Sequence, residues 1–124
     1  MRYIDDHDID PRLPLTANYN GTIVNVSVQN IDDPAGVVKL YAPVFAGVDY
    51  KFARPVPDYL AAFNAALPAD KRAAIFSCNC ILNYLYAGLE GKRTGTAQGP
   101  ITFGEIAHQL LNQTLVRLLI RDLS

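Results

Sequence analysis

Two cysteines separated by a single residue, Cys78 and Cys80, lie in the segment Ala73-Ala-Ile-Phe-Ser-Cys-Asn-Cys80. A thiolate is both a nucleophile and a metal ligand, so this is the first place to look for chemistry. Cys78 with His108 as base and Glu105 as orienting acid would make a Cys-dependent hydrolase or transferase. That triad needs three separate stretches of chain to converge, and a free Cys is among the residues most often buried for packing alone. The same side chains could be read as a zinc site, but structural zinc sites place roughly two to four residues between paired cysteines. The expectation is therefore no catalytic residue, no metal ligand and no cofactor.

The elements that hold these residues follow from the pattern around them. A short apolar run ends in Ser77-Cys78-Asn79, and Leu82, Leu85 and Leu89 then recur at helical spacing, which predicts a strand running straight into a helix from near Asn79 to about Gly88. The free N–H groups of a helix start favour an anion or a thiolate above the strand end. Gly91 to Pro100, rich in Gly, predicts a loop that is either a surface excursion or a lid over a site. Glu105, in Phe103-Gly-Glu-Ile106, is either a solvent-facing strand residue or a carboxylate aimed at a ligand.

The order of these pieces, closed by Asn112-Gln-Thr-Leu-Val-Arg-Leu-Leu-Ile120, resembles the C-terminal portion of the FIST family of sensory domains over residues 74–120. The resemblance implies a pocket between the Ser77, Cys78, Asn79 strand end and the segment bearing Phe103 and Glu105. Helix-start N–H groups would take a carboxylate and Glu105 an ammonium, the complement of an amino acid or similar zwitterion. It also implies a non-enzymatic, small-ligand-binding sensory domain in bacterial signalling.

Half the residues are hydrophobic, 19% are charged and the net charge is −1, a globular balance with no excess of charge to attract nucleic acid or an anionic membrane. No apolar stretch is long enough to span a bilayer, and the acidic start lacks the apolar core of a secretion signal. With two cysteines too close in sequence to bridge each other, a reduced, cytoplasmic setting is expected.

Residues 1–20 carry Pro11 and Pro14 among several Asp and read as an extended arm, with residues 21–124 as a single domain. In that domain Val24, Val26 and Val28 alternate with Ile23, Asn25, Ser27 and Gln29, predicting a half-buried strand over 22–29. Asp32-Asp-Pro-Ala-Gly36 is turn chemistry leading to a second strand, Val37 to Phe45, and Gly47 to a third, Val48 to Ala53, in an antiparallel meander. Val56, Tyr59, Leu60, Phe63 and Leu67 then switch to helical spacing, with Pro57 and Asp58 suited to the start. Strands are expected over 100–109 and 110–121. The fold class is α+β, a mainly antiparallel sheet of five to six strands with two helices. Two short helices cannot hide all the apolar strand faces, so a homodimer is expected, and an interaction module is a further functional alternative.

Overall fold

A computed structural model describes residues 2–67, 76–94, 97, 99–106 and 109–119. The described residues form three helices and ten short strands in four small sheets, an α+β architecture in two compact units, Met1–Pro55 and Val56–Ser124. The expectation of a single five- to six-stranded sheet with two helices is corrected on the division into sheets and on the number of helices. All strand pairings but one among the described residues are antiparallel.

In the first unit, residues 1–20 are not an extended arm. They contribute a short helix, α1 (Arg2–Asp6), and a strand, β1 (Leu15–Tyr19), which pairs along its whole length with β2 (Thr22–Val26). The loop joining them is Asn20-Gly21, with φ of 51° and 96°. Both central residues of a primed two-residue hairpin turn need positive φ, which Asn tolerates and Gly adopts without steric cost. The side chain of Asn18 accepts from the Gly21 N–H at 2.6 Å.

Val24, Val26 and Val28 are buried, as their alternation requires, but the run breaks at Ser27 and divides between two sheets. Beyond it, β3 (Val28–Asp32) pairs, among the described residues, only with β4 (Val37–Leu40) through the Asp33 to Gly36 turn. Ser27 is itself buried, and its carbonyl accepts from the Tyr41 N–H at 3.0 Å. The third strand, β5 (Lys51–Phe52), joins β1 rather than β4, so the predicted meander is replaced by the order β2-β1-β5. Val48, Tyr50 and Phe52 are half-buried while Asp49 and Lys51 are exposed, so the expected alternation survives where the ladder itself is short.

The second unit starts with α2 (Tyr59–Ala66), capped by the Asp58 carboxylate accepting from the Ala61 N–H at 2.9 Å. Such a cap satisfies one of the N–H groups a helix start leaves open. Tyr59, Leu60, Phe63 and Leu67 form its less exposed side, and Val56 lies outside the helix and exposed. The stretch expected to open the next strand, residues 73–75, lies outside the described residues. From Phe76 the chain runs as β6 (Phe76–Cys80) directly into α3 (Ile81–Tyr86). This helix closes with Leu89 N–H on Tyr84 C=O at 3.0 Å and Gly88 N–H on Leu85 C=O at 3.2 Å, which satisfies its last carbonyls and buries Leu89. Leu82 is buried as well, but Leu85 is 59% exposed.

The strands expected over 100–109 and 110–121 resolve into shorter pieces. β7 (Ile101–Thr102) lies parallel to β6, β8 (Glu105–Ile106) and β9 (Gln109–Leu110) pair with each other, and β10 (Leu115–Leu118) runs antiparallel to β6. Residues 120 and 121 fall outside the described residues.

Candidate functional site

The strand β6 is the centre of a three-stranded sheet, β10-β6-β7, and its pleat sorts its side chains onto two faces. The register places Leu115 and Ile101 beside Asn79, and Arg117 beside Ser77, on one face. Val116 lies beside Cys78 and Thr102 beside Cys80 on the other.

On the first face a cavity of about 140 Å³ is lined by Ser77, Asn79, Ile101 and Leu115 of the sheet, Tyr84 and Leu89 of α3 and its cap, and Lys92, Thr94, Ala97 and Gly99 of the following loop. The loop is held against the strand by its backbone: Asn79 N–H donates to the Pro100 carbonyl at 3.1 Å. Gly99 passes so close that a Cβ there would overlap the Ser77 carbonyl oxygen and sit 2.8 Å from its carbon. A residue without a side chain is what lets the two backbones meet. Within the loop Thr94 Oγ1 donates to the Ala97 carbonyl at 2.9 Å and Ala97 N–H returns to Thr94 at 3.1 Å, forming a local turn beside Lys92. Residues 95, 96 and 98 of the expected lid lie outside the described residues.

Asn79 is held from behind. Its Oδ1 accepts from Asn83 Nδ2 at 2.8 Å, and the Oδ1 of Asn83 accepts from the hydroxyl of Tyr59 on α2. Asn83 is buried, and burial raises the pKa of the Tyr59 phenol above its ordinary value by penalising the phenolate.

Of the residues singled out from sequence, Ser77 and Asn79 share the cavity and Cys78 does not. Cys78 and Cys80 are both buried on the opposite face, with Cys78 Sγ 3.6 Å from Thr102 Oγ1. The expected helix start near Asn79 is also displaced: β6 continues to Cys80, which occupies the N-cap position, so Cys78 sits within a strand. Phe103 is 76% exposed and Glu105 is exposed, its carboxylate accepting from the Phe103 N–H at 3.0 Å. Neither lines the cavity. His108 lies outside the described residues, and among those described no cluster of His, Cys, Asp and Glu could hold a metal ion. Tyr84, Lys92 and Thr94 were missed by sequence reasoning; a cation and hydroxyls near a Gly-rich loop were the available signal.

A second, more apolar cavity of about 350 Å³ is lined by Phe63, Ala66 and Leu67 of α2 and its cap and by Leu115 and Arg117 of β10. No helix among the described residues is long and apolar enough to cross a membrane.

Comparison with family models gives a match over residues 1–121 to a family of unknown function, DUF6976. The chain belongs to the DUF6976 family. This overturns the FIST resemblance, since the match takes in nearly all of the chain and is to a different family. The Ser-Cys, Gly-Glu-Ile and Asn-x-Thr pieces that carried the resemblance are short, and in this DUF6976 member the Ser-Cys pair does not end its strand. No curated protein and no solved structure matches the chain.

Proposed function

We propose that this chain binds a small anionic metabolite, carrying a carboxylate or phosphoryl group, in the cavity beside β6, without chemistry at the cysteines. One observation carries the reading. Lys92, Asn79, Ser77 and Tyr84, which between them carry an ammonium, a carboxamide and two hydroxyls, line a single cavity whose described lining holds no carboxylate, while the Thr94 hydroxyl of that lining donates to the Ala97 carbonyl. A site rich in donors with one cation complements an anion. At about 140 Å³ the cavity is well below the roughly 300–1,000 Å³ of pockets for drug-sized ligands, which suits a short organic acid or phosphate. The ammonium partner expected of Glu105 is dropped, because Glu105 lies outside this lining and is engaged by the backbone of Phe103.

The test is thermal shift and titration calorimetry with acetate, pyruvate and inorganic phosphate against ethylammonium and glycerol. Anion at about 100 times its Kd should stabilise the protein by roughly 2.7 kcal/mol. Lys92→Ala should remove most of that gain. Equal behaviour toward anions and ethylammonium would overturn the reading.

A second reading, self-association, is favoured by Phe76 and Leu118. They are cross-strand partners on the face opposite the cavity, 47% and 53% exposed. A second copy covering this pair would form a homodimer; a 13.6 kDa species in light scattering at tens of micromolar would exclude it.

A further inference from the structure

The hydrogen bonds behind Asn79 bear on which ligands the cavity accepts, an inference that rests on the anion reading of the same site. A carboxamide has an acceptor end and a donor end, and which end meets a ligand depends on what engages the other. The Oδ1 of Asn79 is engaged by Asn83 Nδ2 at 2.8 Å, which leaves the Nδ2 amino group as the end available to the cavity. The Tyr59 hydroxyl donates to Asn83 Oδ1, which favours the orientation of the Asn83 amide that turns its Nδ2 toward Asn79. The order of the three groups has a chemical direction. An amide oxygen is a much better acceptor than a phenol oxygen, whose lone pair is delocalised into the ring, so the phenol proton is directed to Asn83 Oδ1. Asn83 is buried, where an incorrectly oriented amide would face the cost of an unmatched donor or acceptor.

We infer that Tyr59 and Asn83 are positioning residues that fix the hydrogen-bonding polarity of the cavity, so that Asn79 presents an N–H donor and the site selects ligands with an oxyanion at that point. Tyr59 donates to Asn83, Asn83 donates to Asn79, and Asn79 donates to the ligand. The relay joins α2, α3 and β6, so the selectivity of a site on β6 is set by a residue whose helix contributes nothing to the cavity lining. Ligands offering an N–H at that point meet a second donor and are rejected.

The experiment uses the full chain, inorganic phosphate and acetate as probes, and the ¹⁵N side-chain amide signals of Asn79 and Asn83. In the wild type both Asn79 Nδ2 protons should move on phosphate addition, and those of Asn83 should be slow to exchange and nearly unmoved. Tyr59→Phe frees Asn83 to reorient, and both anions should weaken by roughly three- to tenfold, the worth of one net hydrogen bond. Asn83→Asp can only accept, so it turns Asn79 around and should abolish the phosphate response of the Asn79 amide. If Tyr59→Phe does not fold, Asn83→Asp decides the question on the Asn79 amide signals, since it can still accept from both neighbours. Phosphate and acetate binding unchanged in the variant that folds, with the Asn79 amide responding as in wild type, would overturn the relay while leaving the anion site standing. No binding of either anion to the wild-type chain would instead remove the anion site.

Discussion

Replacing Gly99 by alanine tests the joint on which the cavity depends. The added Cβ would overlap a backbone carbonyl oxygen, that of Ser77, with the carbonyl carbon at 2.8 Å. A backbone group has no rotamer to swing away, so the loop itself must withdraw. Withdrawal would break the bond from Asn79 N–H to the Pro100 carbonyl, 3.1 Å long in the native chain, and strain the adjoining β6–β7 pairing. The net hydrogen bond contributes about 1 kcal/mol, and leaving the half-buried Asn79 N–H poorly matched adds about 1–3 kcal/mol, so the expected loss is about 2–4 kcal/mol. Amide hydrogen exchange is the suitable assay, because the two units of the chain need not unfold together. At about 1.4 kcal/mol per tenfold, the Asn79 amide should exchange roughly thirty- to several-hundredfold faster, while amides of β1 and β2 keep their protection. Phosphate affinity should fall in parallel. Native protection of the Asn79 amide together with native affinity in Gly99→Ala would refute the claim that this close approach holds the loop.

Asp58→Ala removes the side-chain cap of α2 and should cost about 1 kcal/mol in urea unfolding followed by circular dichroism, with a matching loss of protection at the Ala61 amide. Because burial raises the folded-state pKa of Tyr59 above 10.0, the neutral phenol favours the native state. That contribution is full below pH 10 and is lost as pH rises toward the folded value, so Tyr59→Phe should flatten the alkaline fall in urea midpoint relative to wild type. Cys78 and Cys80, both buried, should react with a disulfide reagent only as the unit opens, at rates that rise together in urea. Labelling of Cys78 within seconds in the native protein would show an accessible thiolate and reopen the enzymatic alternative.

Local patterns carried much of the chain. The alternation of Val24, Val26 and Val28 reports a buried face and the helical spacing of Tyr59, Leu60, Phe63 and Leu67 a less exposed one, each of one element, and one element is what periodicity can see. The hairpin at Asn20-Gly21 was legible and missed, since Pro11, Pro14 and the acidic start drew the whole of residues 1–20 into the reading of an arm. Other features had no local signal. That β5 chooses β1 over its sequence neighbour β4 is a matter of long-range pairing, and Ser27 alternates like any strand residue although the sheet ends there. At the site, the strand's length decided the outcome. Extending β6 to Cys80 moves the helix start beyond Cys78, and the pleat then parts Ser77 and Asn79 from the thiols that had drawn attention first. Lys92 and Tyr84 reach the cavity only through the geometry of α3 and its closing turn.

The two-sided character of β6 also constrains how relatives of this chain can change length. Because side chains alternate with a period of two, inserting or deleting one residue between Phe76 and Cys80 would exchange the faces downstream of the change. Asn79 would then turn away from Lys92, and a thiol would take its place in the cavity. An indel of two residues would restore the phase. Within the family, length changes in this strand are therefore expected in even steps, or absorbed by a bulge, whereas Cys78 and Cys80 themselves should be exchangeable for small apolar residues such as Ala or Val without disturbing what the opposite face binds.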